Sequence, residues 1–290
     1  MESQKRFTNQ TRFSRNQIES SARRLSQPKK QFFSNQTNDE DFAKAYFKAN
    51  PNISLDLRSP EEKLYDINYQ LQNFDLDIQE KYKALLQKMT LVEIAYGTES
   101  YEALQSHYDL GLFYNENNRP ESALRHLTKA KAIQDNINIT SSERISISIE
   151  MINSYLILRN KEDRVEAQKT IAKASEEMQL ILNVNIEDLE LSYKRDYVVA
   201  KVLATKRKFE ESLKMYEMAY NELIKIKQNK CCIECGHILF EMAKVADELS
   251  ENEKAIKYYK ESQMIFNELG MEDTYALVTY RLSKFNNKNI

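Results

Sequence analysis

Tryptophan is absent from this 290-residue sequence, and glycine and proline number only four each. Sheets closed by tight turns and the loops of ordinary α/β enzymes consume far more of both, so this scarcity excludes those classes and leaves long helices joined by short links. Phosphate-binding loops are excluded more sharply. Gly97, Gly111, Gly236 and Gly270 are never five residues apart, so neither G-x-x-x-x-G-K nor G-x-G-x-x-G occurs. Long apolar runs are missing as well: nothing approaches the roughly 18 consecutive apolar residues that a membrane span needs, and the start MESQKRFTNQ has no apolar signal region. These absences predict a cytoplasmic chain with no membrane partner. In that setting the Asn-x-Ser/Thr triplets at Asn9, Asn35, Asn52 and Asn138 carry no glycan.

What is present is a helix former's composition, 41% hydrophobic and 30% charged, with its charge unevenly spread. Residues 1–37 hold eight cations against Glu2 and Glu19, a local +6, so the rest must carry −8 to reach the total of −2. Residues 1–58 read as a basic arm and linker of low intrinsic order, rich in Gln, Asn, Ser and Arg. Residues 59–290 read as a helical repeat domain. Within the arm, Arg12, Arg15, Arg23, Arg24, Lys29 and Lys30 suit an acidic surface such as tubulin, with Phe7, Phe13, Phe32 and Phe33 as anchors. No nucleic-acid-binding fold accompanies the patch, so nucleic acid is not expected as a partner. Arg23-Arg24-Leu25-Ser26 resembles a basophilic kinase site, and phosphate on Ser26 would remove up to about two charges from the arm.

Alignment of the chain with itself reveals a repeat. The clearest unit is HYDLGLFYNENNRPESALRHLTKAKA, His107 to Ala132, with Gly111, Ala123 and Ala130 as small residues and Leu127 between them. Small residues at those places let two antiparallel helices approach closely while Leu127 fills the gap, and Arg119-Pro120 makes the turn. The frame recurs with Ala200, Ser212, Tyr216 and Ala219, and again with Ala243, Ala255, Tyr259 and Ser262. A looser copy has Tyr155, Ala167, Ile171 and Ala174. The first small residue of each second helix, at Ala123, Ala167, Ser212 and Ala255, advances by 44, 45 and 43. A step of 42 backwards reaches Lys81, with Leu85 in the next slot, so a degenerate first unit is expected. Ser59-Pro60-Glu61-Glu62 predicts a helix start, Ser as N-cap and Pro in the first turn. Eleven helices are expected from there on, the last a capping helix near residues 272–286.

This pattern resembles the tetratricopeptide repeat (TPR), and its long period resembles the kinesin-light-chain subtype, since the usual unit is about 34 residues. Links ending on Gly97 and Gly270 fit that subtype. The resemblance implies a right-handed α-solenoid and a non-catalytic scaffold that grips a peptide or helix in a concave groove. Three residues before the small residue of each first helix stand Tyr108, Ile152, Tyr197 and Phe240, which the resemblance points into that groove as anchors. Packing between repeats is an equally good reading of the same ladder. Members that clamp a terminal carboxylate use Lys and Asn where this chain has Tyr108 and Leu112, which argues against a heat-shock co-chaperone.

Other constellations support little chemistry. Cys232, Cys235 and His237 offer zinc-ligand types in Cys-x-x-Cys-x-His spacing, but no second ligand pair exists, and ordinary thiols at a helix start are expected. His107, His126 and His237 all fall at repeat positions, and acidic residues are expected on solvated helix faces. No catalytic residue and no cofactor is predicted. Since TPR proteins are common in cilia and microtubule-motor assemblies, the resemblance implies a structural or docking component of an axoneme or other microtubule-associated assembly. A cytosolic motor-cargo adaptor and a zinc- or thiol-dependent protein are the alternatives.

Overall fold

The computed structural model describes residues 56, 58–137 and 139–286. The basic arm, with Ser26, lies outside the described residues. Arg58–Ile290 is a compact unit, and among the described residues it holds eleven α-helices and no strand. We number them α1 (Pro60–Asn73), α2 (Ile78–Tyr96), α3 (Tyr101–Glu116), α4 (Pro120–Asn136), α5 (Ser141–Arg159), α6 (Arg164–Leu182), α7 (Leu189–Thr205), α8 (Phe209–Lys227), α9 (Ile233–Glu248), α10 (Asn252–Glu268) and α11 (Glu272–Asn286). Each packs on the next, and α3 on α5 and α5 on α7 as well. Short links force consecutive helices to run antiparallel, so the chain is a stack of five hairpins followed by α11. Second helices start at 78, 120, 164, 209 and 252, reproducing the steps of 42, 44, 45 and 43.

Local chemistry sets these boundaries. Ser59, Asp77 and Thr140 each cap a helix and are answered by Glu62, Glu80 and Glu143 in reciprocal capping boxes. The tight turns inside hairpins work differently. Arg119, Lys208 and Glu251 precede α4, α8 and α10 without a side-chain cap. Instead their backbone N–H groups donate to Tyr114, Leu203 and Ala246 carbonyls at 2.8–2.9 Å, the closing bond of a Schellman turn. That turn needs one left-handed residue, and Asn118, Arg207 and Ser250 supply it at φ of 56°, 60° and 61°. Gly97 (φ 88°, ψ 165°) and Gly270 (φ 67°) also have positive φ in the links that follow α2 and α10, Gly97 in an extended form open only to glycine.

Packing follows from the small residues. A Cβ built on Gly111 would lie 2.6 Å from Leu127, so α3 and α4 touch there with no room for a methyl group. Ala123, Leu127, Ala130, Ala200, Ser212, Ala219, Ala243, Ala255 and Ser262 are all fully buried. Ser212 and Ser262 also donate to the Ala200 and Gly236 carbonyls at 2.8 Å across their hairpins. Hairpin α5/α6 departs from the frame: Ala167 is only half-buried. Tyr155 stands there in the small slot and is half-buried. Apolar clusters run along the stack, closed by Val278 and Phe285 of α11 against α10. Each such side chain contributes about 1.5–3 kcal/mol.

Not every acid is on a solvated face. Glu177 is buried at the place that Ile133 holds one hairpin earlier, and Asp196 is completely buried. Lys131 and Ser148 donate to Glu177 at 2.5 and 3.1 Å, and Arg195 donates to one oxygen of Asp196 at 2.7 Å, while Asp196 Oδ2 is buried without a partner among the described residues and burial raises the carboxyl pKa. A buried carboxylate persists only with such partners. No helix among the described residues is long and apolar enough to cross a membrane.

Candidate functional site

The first helices of the hairpins, α3, α5, α7 and α9, carry the predicted ladder. Tyr108 and Tyr197 are half-buried, Phe240 is 9% exposed, and Ile152 is 0% exposed. Ile152 is therefore a core residue, packed with Leu156, Val198 and Val199, and offers nothing to a partner. Tyr108 and Tyr197 retain accessible surface, whereas Phe240 is packed into the core cluster with Ala243, Tyr259 and Phe266. Burial raises the hydroxyl pKa of Tyr108 and Tyr197, most of it by desolvation, with Glu150 adding to Tyr108 and Glu241 to Tyr197.

One turn beyond each ladder residue, the chemistry changes along the stack. Leu112 and Leu156 occupy that place on α3 and α5, and Lys201 and Lys244 occupy it on α7 and α9. The lysines were not singled out from sequence, although they follow the small residues Ala200 and Ala243 directly. Their geometry repeats. Lys201 Nζ lies 5.2 Å from the centre of the Tyr197 ring, which meets Tyr216 edge-on at 5.8 Å. Lys244 Nζ lies 5.6 Å from the centre of the Phe240 ring, which meets Tyr259 edge-on at 5.8 Å. Each cation is thus set on a ring face that a tyrosine of the second helix holds in place. Lys244 also pairs with Glu241 at 2.8 Å. Lys201 has a pKa below the usual ammonium value because burial disfavours its charge, a trend that Lys244 reinforces and Glu241 and Glu150 oppose.

Lys201, Lys244, Glu241, Tyr216, Tyr259 and Arg281 of α11 border one cleft of about 650 Å³. Between α3 and α5 the face is tied by side-chain bonds. Asn115 donates to Glu150 at 3.0 Å and accepts from Ser154 at 2.7 Å, and burial raises the Glu150 carboxyl pKa.

The cysteine segment does not assemble a ligand set. Cys232 is the N-cap of α9 and accepts the Cys235 N–H at 3.3 Å. Cys235 is buried, which is the main reason its thiol is pushed up to about 12. Cys231 has its pKa raised chiefly by a hydrogen bond to Glu268, and His237 packs edge-on against Phe266 at 5.1 Å. Among the described residues no three His, Cys, Asp or Glu side chains are grouped to hold a metal ion. His107 and His126 face each other across α3 and α4, Nδ1 to Nδ1 at 3.1 Å, beneath Tyr114.

No protein-family profile matches the chain, and no curated protein matches it in sequence. Solved structures do. One is a point-substituted form of the nearly identical TPR-like repeats of a protein assigned as a kinesin light chain in Podosopora anserina, 15% identical, with a TM-score of 0.51 over 74% of this chain and 99% of that one. Another holds those repeats without the substitution, at 14% identity and a TM-score of 0.49 over 73% and 98%. At 15% identity the first likeness concerns architecture, and the architecture it establishes for this chain is an all-helical stack of TPR-like, kinesin-light-chain-like hairpins.

Proposed function

We propose that this chain is a non-catalytic scaffold that holds a helix or extended peptide of another protein against the face formed by α3, α5, α7 and α9. The observation that supports it most is the set of aromatics at one register of successive first helices. Tyr108 and Tyr197 stay half-buried on an otherwise close-packed stack, and Phe240 stands at the same register with 9% exposure. Rings fixed by neighbours bind with little loss of side-chain entropy, the property that makes aromatics frequent hot spots. The test is the triple substitution Tyr108→Ala, Tyr197→Ala and Phe240→Ala, with helicity checked by circular dichroism. Capture of the native partner should be lost while folding is retained; unchanged capture refutes the assignment of this face.

The setting we propose is a microtubule-based assembly, with an axonemal docking role first. The structural neighbour described as a kinesin light chain supports a cytoskeletal context, and the +6 arm supplies a complement to an acidic filament such as tubulin. Co-sedimentation with axonemal microtubules, lost on removing residues 1–58, is the expected result. Co-purification with motor subunits instead would assign the chain as a cargo adaptor. Phosphate on Ser26 should weaken the arm's binding to an acidic filament; a pull-down showing equal affinity removes that switch.

A further inference from the structure

Helix α11 buries one face and leaves another bare. Val278 and Phe285 pack into the core against α10. On the far side Leu277 and Tyr280 are 46% and 61% exposed, and Asp273, Ala276 and Lys284 are exposed beside them. At about 100° per residue, Asp273, Leu277, Tyr280 and Lys284 fall within roughly 60° of arc, so they form one stripe along the helix. Their spacing of four, three and four residues is that of a seam on which a second helix packs.

The order of residues along that stripe narrows what covers it. From one end to the other it runs acid, apolar, apolar, base. Laid antiparallel on a copy of itself, the stripe sets Asp273 against Lys284 at both ends and Leu277 against Tyr280 twice at the centre. A parallel copy would set Asp273 against Asp273 and Lys284 against Lys284 instead. Within one helix the two charges are eleven residues apart, about 16 Å, too far to pair with each other. Lys284 Nζ lies 4.9 Å from the centre of the Tyr280 ring, so the cation already points along the stripe. Ala276 beside it is small enough to let a second backbone approach.

We infer that α11 pairs with α11 of a second copy of this chain, antiparallel about a two-fold axis, with Leu277 and Tyr280 of each copy at the centre and an Asp273 to Lys284 pair at each end. Such a contact is self-complementary and closes at two chains. Burial of the leucine and tyrosine supplies the affinity, and the ion pairs at the rim fix direction and register. One helix from each chain makes an interface at the low end of the size range, so a dissociation constant on the order of 10–100 µM is expected. This goes beyond the scaffold reading and stands independently of it, since the stripe lies outside α3, α5, α7 and α9. A pair of chains would carry two ladder faces and gain avidity for a partner with repeated sites.

The experiment is analytical ultracentrifugation of the full chain from about 1 to about 300 µM, a range that brackets the expected constant. The mean mass should rise from that of one chain toward that of two. Leu277→Glu and Tyr280→Glu place a carboxylate at the centre of the contact; each should weaken pairing at least about tenfold, with helicity checked by circular dichroism. Charge reversal reads the geometry itself. Asp273→Lys alone and Lys284→Asp alone each bring like charges together at both ends and should weaken self-association several-fold. An equimolar mixture of those two variants should pair with each other, and the double reversal in one chain should recover wild-type pairing. A role for either residue only within its own chain predicts no such rescue. A chain that stays single at about 300 µM, growth beyond two chains, full self-association of the folded Leu277→Glu variant, or a mixture that pairs no better than its components would each overturn the inference.

Discussion

Replacing Gly111 by Ala tests the packing on which the hairpin frame rests. In an exposed helix this change stabilises by about 1 kcal/mol, because alanine loses less backbone freedom than glycine. Here the new methyl would sit 2.6 Å from both Cγ and Cδ2 of Leu127, a full ångström inside ordinary carbon contact. Leu127 is completely buried between Ala123 and Ala130 and cannot swing out. Overpacking of that kind costs about 1–3 kcal/mol, and contact with Cγ rather than a terminal methyl places it toward the upper end. The net expectation is a loss of about 1–2 kcal/mol, or roughly 2–8 °C in melting temperature for a unit of this size. Far-UV circular dichroism against temperature and urea reads it. A double-mutant cycle sharpens the result: Leu127→Ala leaves a cavity in the wild type but relieves the clash in Gly111→Ala, so its cost should fall by about 1 kcal/mol or more in that background. A Gly111→Ala protein as stable as wild type, with additive effects in the cycle, would refute the close approach of α3 and α4.

Three further outcomes follow from named contacts. Burial between α3 and α4 lowers His126 to about 4, with His107, Lys129 and Arg125 adding to it, and lowers His107 in the same direction. The unfolded chain therefore binds protons first as pH falls below about 6.5; the shift corresponds to about 3 kcal/mol by pH 4, and with screening by solvent at a half-exposed ring about 2 kcal/mol of stability should be lost. Half-buried Glu150 and Glu222 and buried Asp196 have raised pKa values and act in the opposite sense, so the measurement is the difference in urea midpoint between wild type and His126→Gln across that range; parallel curves would refute it. Ser250 sits at φ 61°, where glycine is free of the Cβ penalty, so Ser250→Gly should stabilise by about 1 kcal/mol, and a lower melting temperature would contradict the turn. Thr140 caps α5 and is answered by Glu143; Thr140→Ala should cost about 1 kcal/mol, seen as faster hydrogen exchange in the first turn of α5.

The architecture was legible because it rests on spacing. The steps between Ala123, Ala167, Ser212 and Ala255 place four second helices, and the structure begins each three residues earlier. Ser59 and Pro60 mark the start of α1 because their chemistry is local. The turns were less legible. With only four glycines in the chain, left-handed positions fall to Asn118, Arg207, Gln228 and Ser250, and of these only asparagine is a residue type enriched in that conformation. Buried acids were missed for a related reason. Glu177 looks like a surface residue until Lys131 and Ser148 are brought to it from α4 and α5, and those partners lie 46 and 29 residues away.

The site shows the same division at finer grain. The register that places Tyr108, Tyr197 and Phe240 on first helices also delivers Ile152, yet periodicity assigns a face and not an exposure; neighbours from α7 bury Ile152 completely. One residue past the small slot, the sequence changes from Leu112 and Leu156 to Lys201 and Lys244. Self-alignment averages over such a change because it rewards what the repeats share. What differs between repeats is where a repeat protein distinguishes one ligand from another, since the shared positions are spent on stacking. The lysines gain significance only once α8, α10 and α11 bring Tyr216, Tyr259 and Arg281 to the same cleft. The second half of the stack therefore carries chemistry that the first half lacks, and ligand specificity is to be sought at α7 and α9 before α3 and α5.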